Sequence, residues 1–346
     1  MPKPYRLLIV DDSPMIRESI REIVVANGRF EVVGEAENGG QALRMVAELA
    51  PDLISLDIVM PGMNGISALK YLMINYPTPT VMVSSLTQEG AAETFDALRY
   101  GAVTFIPKPS KLDDRREIDK IGEEIQTKFA WAAQVRIEAL RYIRVRRNAP
   151  FAGNGAPARR VVALGAHEGG YSALMKTLPQ LRADLPVAYV VVLYEHDQYV
   201  DAFIEYLQDY CMVQVRRASN GAPLLGGVCY IAAGEDYVTV RHDGGRLALH
   251  VHRAPFESQK GSINRLFYSL GEVLAERGVG VVLSGSGDDG AEGVEELLRV
   301  GALGVVQEPQ SCLVREMVET AMQRCPVEHQ VSDQRLGDWL NRRLAA

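Results

Sequence analysis

Short hydrophobic segments alternate with amphipathic helical segments between residues 7 and 106, and this alternation restricts the fold more than any other feature of the sequence. The five predicted strands are Leu7–Val10, Phe30–Ala36, Leu53–Leu56, Thr80–Val83 and Val103–Ile106. The predicted helices between them are Pro14–Ala26, Gly40–Leu49, Gly65–Ile74 and Ala91–Tyr100. Five βα units with short connections predict an α/β fold, with a parallel sheet covered by helices on both faces.

Polar residues follow four of these five strands. Asp11 and Asp12 follow the first strand, Asp57 the third, Ser84 the fourth and Lys108 the fifth. Ligands of open parallel sheets bind at the carboxyl ends of the strands, so we expect these side chains to meet at one edge. Three converging carboxylates repel one another unless a hard cation or a lysine joins them. The sequence therefore predicts a Mg²⁺ site that contains an acceptor carboxylate for a phosphoryl group.

The segments VDDS, SLDIVMPGMNG, VMVSSLT and FIPKP resemble the signature segments of the two-component receiver domain. The resemblance implies that Asp57 is phosphorylated by a sensor histidine kinase and that Mg²⁺ is bound by Asp11, Asp12 and Asp57. The residues that it implies for the phosphorylation switch are Ser84, Phe105 and Lys108.

A strongly charged segment follows, from Lys111 to Arg147, and its apolar residues recur at helical spacing. The next stretch, residues 148–157, contains Gly, Pro and Asn in the proportions of a loop. We therefore predict a receiver domain in residues 1–128, a linker in residues 129–158 and a second domain in residues 159–346.

The second domain is predicted to contain another doubly wound, mostly parallel sheet, because the alternation of strands and helices resumes. Its predicted strands are Val161–Gly165, Tyr189–Tyr194, Cys229–Ala232, Leu247–Val251, Gly280–Ser284 and Ala302–Gln307. A small antiparallel insertion is predicted around Glu235–His252, since the sequence Asp243-Gly244-Gly245 is typical of a hairpin turn.

The first strand of this domain runs into a glycine-rich turn in the sequence RRVVALGAHEGG, residues 159–170. Hydrolases with a strand–turn–helix "nucleophile elbow" carry G-x-S-x-G at this place, with the serine exposed on the turn. Here His167 occupies the central position. The glycines that permit the turn are Gly165, Gly169 and Gly170.

Two further polar residues, His196 and Asp289, follow later strands. An elbow residue, a histidine and an aspartate in this order match the roles of an acyl-transfer triad, in which the carboxylate fixes the tautomer of the histidine base. Glycines near His167 and Asp289, including Gly287, predict backbone N–H groups that are free to form an oxyanion hole.

The segments LGAHEGG, PLLGGVCYIAAG, GVVLSGSGDDGAEG and QEPQSCLV resemble the C-terminal domain of the chemotaxis protein-glutamate methylesterase family, CheB. The resemblance implies a receiver, a linker and an esterase domain that acts on methylated glutamates, and often on glutamines, of chemoreceptors. It also implies a Ser-His-Asp triad, no metal in the esterase domain, and a receiver that blocks the active site until it is phosphorylated.

The residues of the family's triad are only partly present in this sequence. The family's serine falls on His167 and the following threonine on Glu168, whereas Asp289 matches the aspartate. His196 matches the histidine, although its loop is short by about two residues, which leaves Tyr194 as an alternative alignment. The family's His-Arg-Pro-Ser-Val-Asp stretch and the loop after Cys312 also differ, in residues 258–264 and 313–318.

These departures favour a catalytically inactive or impaired domain that serves as a phosphorylation-gated binding module. One alternative is an active methylesterase or glutamine deamidase with a rearranged site, in which Ser284 or Ser286 supplies the hydroxyl. A second alternative is a metal site formed by His167, His196 and Asp289. A simpler interpretation is that His167 only hydrogen-bonds Asp289 or Glu168.

Composition excludes several other functions. A net charge of −7 and a pI near 5.5, with no basic stripe, argue against nucleic-acid binding. No apolar run approaches 18 residues and no signal peptide is recognisable, so we expect a cytoplasmic protein without membrane insertion. The expected partners are the kinase and a chemoreceptor or another chemosensory protein.

Overall fold

The computed structural model describes residues 3–26, 28–84, 88–108, 115–136, 143, 155–253 and 261–345. The chain forms two compact units, Met1–Arg144 and Val145–Ala346. Most of the predicted linker and residues 258–260, which depart from the family's pattern, lie outside the described residues. None of the helices in the described ranges is both long enough and apolar enough to cross a lipid bilayer.

The first unit is a five-stranded sheet in the order β2-β1-β3-β4-β5, and all neighbouring strands are parallel. This arrangement confirms the predicted (βα)5 fold. The strands are β1 (Tyr5–Val10), β2 (Phe30–Ala36), β3 (Leu53–Asp57), β4 (Thr80–Ser84) and β5 (Thr104–Pro107). The helices are α1 (Pro14–Val25), α2 (Gly39–Leu49), α3 (Gly65–Asn75), α4 (Gln88–Arg99) and α5 (Arg115–Ala132).

Helix α5 extends to Ala132, past residue 128, where the first domain was predicted to end. Its apolar face follows the predicted spacing, and Ile125, Phe129 and Ala132 are all fully buried. The Phe129 ring packs edge-on against Phe30 of β2, with ring centroids 6.1 Å apart. The last turn of α5 therefore belongs to the core of the first unit.

The second unit is a seven-stranded, all-parallel sheet in the order β14-β13-β12-β6-β7-β9-β8. Its strands are β6 (Arg160–Ala166), β7 (Val187–Leu193), β8 (Gln214–Arg217), β9 (Val228–Ala233), β12 (Gly278–Val282), β13 (Leu303–Gln307) and β14 (His329–Val331). A separate antiparallel hairpin consists of β10 (Asp236–Asp243) and β11 (Arg246–Arg253). The helices are α6 (Gly170–Thr177), α7 (Asp197–Gln208), α8 (Ser262–Leu274), α9 (Ala291–Arg299), α10 (Glu316–Arg324) and α11 (Asp333–Leu344).

The doubly wound sheet and the hairpin turn at Gly244-Gly245 agree with the sequence predictions. Strands β8 and β14 were not predicted, because they are short edge strands of polar composition, QVRR and HQV. Strands β12, β6 and β7 lie side by side in the sheet, and every residue of β7 is buried. This order brings the loops that follow these three strands together at one edge.

Candidate functional site

The edge of the first sheet carries a cluster of three carboxylates. Oxygen atoms of Asp11, Asp12 and Asp57 all lie within 4.8 Å of one another. The ammonium of Lys108 contacts two of them, with Nζ 2.8 Å from Asp11 Oδ2 and 2.7 Å from Asp57 Oδ2. The residues predicted from separate strand ends therefore converge.

Burial governs the electrostatics of this cluster. Asp57 is 2% exposed, and burial raises its pKa to about 6 although Lys108 acts in the opposite direction. Burial lowers the pKa of Lys108, but its bonds to the two carboxylates outweigh that effect and raise it. One ammonium thus offsets only part of the charge of three carboxylates. A hard divalent cation fits this oxygen-rich set, and the residues that would hold Mg²⁺ are Asp11, Asp12 and Asp57.

The predicted switch residues lie at the ends of β4 and β5. The Ser84 carbonyl accepts a hydrogen bond from the Lys108 backbone N–H at 2.9 Å, and its buried hydroxyl lies 3.4 Å from Thr94 Oγ1. Phe105 is fully buried, with its ring edge-on to Phe95 at a centroid distance of 5.9 Å. These positions are compatible with the predicted roles, which stay predictions.

The second site begins at a tight turn between β6 and α6. The His167 N–H donates to the Ser284 carbonyl at 3.0 Å, and the Gly170 N–H donates back to the His167 carbonyl at 2.7 Å. Gly169 has a φ of +78°, and a Cβ there would lie 2.6 Å from Ser284 Oγ. A Cβ on Gly165 would lie 2.4 Å from a methyl carbon of Ile263. The glycines are therefore required by the turn and by its close packing.

His167 forms an ion pair with its neighbour Glu168, with 2.9 Å between Nδ1 and Oε2. The Ser286 hydroxyl lies 3.3 Å from the same nitrogen. Burial lowers the pKa of His167, but Glu168 outweighs it and the pKa is raised. Burial would raise the pKa of Glu168, yet His167 and Ser286 lower it to about 2. The simpler interpretation of His167, a bond to Glu168, agrees with this geometry.

Tyr194, the first residue after β7, is the side chain that meets Asp289. Its hydroxyl donates to Asp289 Oδ2 and accepts a hydrogen bond from the Ser262 N–H at 3.1 Å. Burial and then the charge of Asp289 raise the pKa of Tyr194 well above its usual value. The Tyr194 and His167 rings are edge-to-face, with centroids 5.2 Å apart. The structure therefore brings His167, Tyr194 and Asp289 together at this edge of the sheet.

The prediction that His196 stands beside Asp289 is corrected by this arrangement. His196 lies two residues farther on, at the N-cap of α7, and its Nδ1 is 3.4 Å from Glu235 Oε1. The reason is that β7 continues to Leu193 and the Tyr194 N–H donates to the Ala166 carbonyl at 3.0 Å. This bond fixes residue 194, rather than 196, at the strand end.

Asp289 caps the N-terminus of α8. Its carboxylate accepts from the N–H groups of Ile263 at 2.9 Å, Asn264 at 3.0 Å and Gly290 at 3.0 Å, as well as from Tyr194. In return, Asn264 Oδ1 accepts from the N–H groups of Gly290 at 3.0 Å and, in α9, Gly293 at 2.7 Å. Each of the two helices is thus capped by a residue from the start of the other.

Two adjacent backbone N–H groups beside the elbow, of which only that of Gly287 was predicted to form an oxyanion hole, are bonded to glutamates. The Ser286 N–H donates to Glu168 Oε2 at 2.9 Å, and the Gly287 N–H donates to Glu316 Oε2 at 3.0 Å. The Gly287 N–H, which was predicted to be free, is therefore bonded in this structure. Glu316 lies in the first turn of α10, far away in the sequence, and no motif pointed to it.

Two other predictions are also corrected. The Ser284 hydroxyl is fully buried, with Glu168 O at 2.7 Å, Val314 O at 3.0 Å and the Val314 N–H donating to it, so it cannot act as a nucleophile. Among the described residues, Asp11, Asp12 and Asp57 form the only group of three or more potential ligands that is compact enough for a metal. The predicted metal site at His167, His196 and Asp289 is therefore wrong.

Comparisons with known proteins match this two-part architecture. Residues 7–118 match the family model of the response regulator receiver domain, and residues 162–340 match that of the CheB methylesterase. A protein-glutamate methylesterase/protein-glutamine glutaminase of Pyrococcus abyssi is 33% identical, over 95% of this chain and 90% of the relative. One of Xanthomonas euvesicatoria is 37% identical, over 90% of this chain and 89% of the relative.

A solved structure has the fold of the second unit. The CheB methylesterase catalytic domain of Thermotoga maritima superposes with a TM-score of 0.50 at 18% identity, and the match covers 53% of this chain and 97% of that domain. At this identity the likeness concerns the fold alone. Together with the family models and the relatives that match along nearly the whole chain, it leads to one assignment. The chain belongs to the CheB methylesterase family and carries a response regulator receiver domain before the methylesterase domain.

Proposed function

We propose that Asp57 of the receiver accepts a phosphoryl group and thereby controls a methylesterase-fold domain that binds its partner without hydrolysing esters. The phosphodonor would be a sensor histidine kinase, and the partner a chemoreceptor or another chemosensory protein. The observation that carries the proposal is that His167, and not a residue with a hydroxyl group, stands at the centre of the elbow beside Tyr194 and Asp289.

The receiver half of the proposal rests on the carboxylate cluster. Mg²⁺ held by Asp11, Asp12 and Asp57 would neutralise the phosphoryl oxygens during transfer, and it would lower the pKa of the acceptor. The ammonium of Lys108, 2.7 Å from the Asp57 carboxylate, is placed to pair with the phosphoryl group once it is attached. The bound Mg²⁺ and Lys108 would thus be the groups that assist Asp57 as the phosphoryl acceptor.

The methylesterase-fold half rests on the protonation states of two side chains. A triad base must take a proton from the nucleophile, but the Tyr194 hydroxyl already donates to Asp289 and accepts from Ser262. The raised pKa of His167 favours its protonated form, which is neither a nucleophile nor a base. The Asp289 carboxylate, which would orient a histidine, is bonded to three N–H groups instead. These contacts support the proposal that the domain has neither the nucleophile nor the base of a serine mechanism.

A second candidate function is retained methylesterase or glutaminase activity. It is favoured by the names of the relatives and by the Ser286 hydroxyl, 3.3 Å from His167 Nδ1. In such a site Ser286 Oγ would attack the ester carbonyl, and its proton would pass through His167 to the departing methanol. Water would then hydrolyse the acyl-serine and release the glutamate carboxylate. Glu168 opposes this route, because it binds the same nitrogen and keeps it protonated. The geometry therefore favours the binding module.

A methylesterase assay decides between the two candidates. The full chain would be incubated with receptor peptides that contain glutamate methyl esters, with and without Mg²⁺ and acetyl phosphate, and methanol release would be measured. We expect no release above the peptide alone in either condition. Release that is lost in Ser286→Ala and retained in Ser219→Ala, an exposed serine elsewhere in the domain, would establish the second candidate instead.

A further inference from the structure

Two backbone amides of the loop after β12 are bonded to glutamates of the same domain. The Ser286 N–H donates to Glu168 at 2.9 Å, and the Gly287 N–H donates to Glu316 at 3.0 Å. A pair of adjacent backbone amides is a binding site for a carboxylate or for an oxyanion. In this chain both halves of the pair already hold a carboxylate.

The two glutamates are held to different degrees. The Glu168 side chain is only 14% exposed, and its Oε2 is bonded both to Ser286 N and to His167 Nδ1. Although burial acts to raise its pKa, these partners lower it to about 2, so the carboxylate is charged at any neutral or mildly acidic pH. Glu316 is exposed on the first turn of α10. We therefore expect Glu168 to be the firm ligand and Glu316 the exchangeable one.

We propose that Glu168 and Glu316 are internal ligands that fill the Ser286–Gly287 amide pair and exclude external carboxylates and oxyanions from the elbow. An external anion would compete with groups tethered at a millimolar or higher effective concentration. It would also be repelled by the charge of Glu168. This inference deepens the proposed function, because it names the residues that keep a negatively charged reaction intermediate out of the site.

The proposal assigns a ligand class to the site once it is opened. Removal of Glu168 leaves the Ser286 N–H without an acceptor and also leaves His167 without its anion. A small carboxylate could replace both bonds, since it has the same charge and the same acceptor oxygens as the glutamate side chain. Acetate is the simplest such probe.

The test is an acetate titration of the ¹⁵N-labelled full chain, followed by the amide resonances of Ser286 and Gly287. The variants are Glu168→Ala, Glu316→Ala and their combination. Glu319→Ala is the matched control, because this glutamate is also exposed on α10. We expect the double variant to bind acetate at least about tenfold more tightly than the wild type. Glu168→Ala alone should give most of this gain, and the control should behave like the wild type.

A variant with Glu168→Thr and Glu316→Ala guards against loss of folding, because threonine fills part of the vacated volume. Its thermal unfolding is measured in parallel. Equal acetate affinity in the wild type and a folded double variant, or no shifts in a folded double variant, would overturn the internal-ligand proposal. Failure of the proposed function has a different signature, which is methanol release from receptor esters by the wild type. The two failures are therefore distinguishable.

Discussion

The receiver site and the elbow site lie at equivalent places in their sheets, yet they treat charge in opposite ways. In the receiver, one lysine contacts only two of three clustered carboxylates, and burial raises the pKa of Asp57 to about 6. In the elbow, Glu168 and Asp289 are each bonded to several groups of their own domain. A metal and a phosphoryl group can stabilise a cluster whose charges are incompletely neutralised. A ligand adds little stability to carboxylates that already have several hydrogen-bond partners. The comparison separates a site built to take up charged ligands from one whose carboxylates are already paired within the domain.

The largest effect that we expect is the loss of phosphorylation in Asp57→Ala. Incorporation of phosphate from acetyl phosphate in the presence of Mg²⁺ should fall at least about 100-fold, because the nucleophilic carboxylate is gone. His167→Ala, made in the elbow, serves as the control and should phosphorylate like the wild type. Equal labelling of Asp57→Ala and wild type would mean that another residue is the acceptor.

Asp289→Ala should be the most destabilising single change in the elbow. It removes the acceptor of three N–H groups and of the half-buried Tyr194 hydroxyl. We expect the free energy of unfolding of the second unit to fall by about 2 to 4 kcal/mol, as measured by urea denaturation. Asp288→Ala is the matched control, because its neighbouring carboxylate is exposed. A loss of less than about 0.5 kcal/mol would show that Asp289 is not the structural cap described above.

In the receiver, Asp57→Asn should raise the free energy of unfolding of the Mg²⁺-free protein, whereas Asp289→Ala lowers that of the second unit. The pKa of Asp57 is raised from 3.8 to about 6, so the stabilising protonated form is lost as the pH rises through about 6. At pH 8 the free energy of unfolding of the variant should therefore be about 1 to 2 kcal/mol higher than that of the wild type. The gain should disappear near pH 4, where the wild-type carboxyl is protonated in the folded state. A gain that is equal at both pH values would contradict the assigned pKa.

The smallest effect concerns the His167–Glu168 pair, and a double-mutant cycle with His167→Gln and Glu168→Gln measures it. The lowered pKa of Glu168 contributes stability above about pH 4.5, and the raised pKa of His167 contributes it below about pH 6.5. The coupling free energy should therefore be greatest between these values, at about 1 kcal/mol because His167 is one-third exposed. It should fade as the pH rises through the raised pKa of His167. A coupling that persists undiminished at pH 9 would exclude a charged pair.

Sequence patterns were sufficient to predict the carboxylate cluster of the receiver, because that cluster depends on single residues directly after buried strands. The cluster of Asp11, Asp12, Asp57 and Lys108 follows from the strand ends alone. The same rule applied to β7 selects Tyr194, the residue that follows Leu193. A histidine base, by contrast, is found only two residues farther on, where His196 is the N-cap of α7.

The other hydrogen bonds of the elbow could not be predicted from local sequence patterns. Glu316 reaches Gly287 across 29 positions of the chain, and Asn264 reaches Gly290 across 26. Asn264 belongs to the stretch that differs from the family's pattern, yet its amide oxygen accepts the N–H groups of Gly290 and Gly293. Such contacts depend on how α8, α9 and α10 pack at the sheet edge, and sequence spacing carries no record of that packing.

The reciprocal caps of α8 and α9 have a consequence for motion in the elbow. Asp289 holds the first turn of α8 while Asn264 holds the first turn of α9, so neither turn can unwind without breaking bonds to the other. Local opening should then be a single cooperative event rather than two independent ones. In native-state hydrogen exchange, the amides of Ile263, Asn264, Gly290 and Gly293 should share one opening free energy and lose protection together.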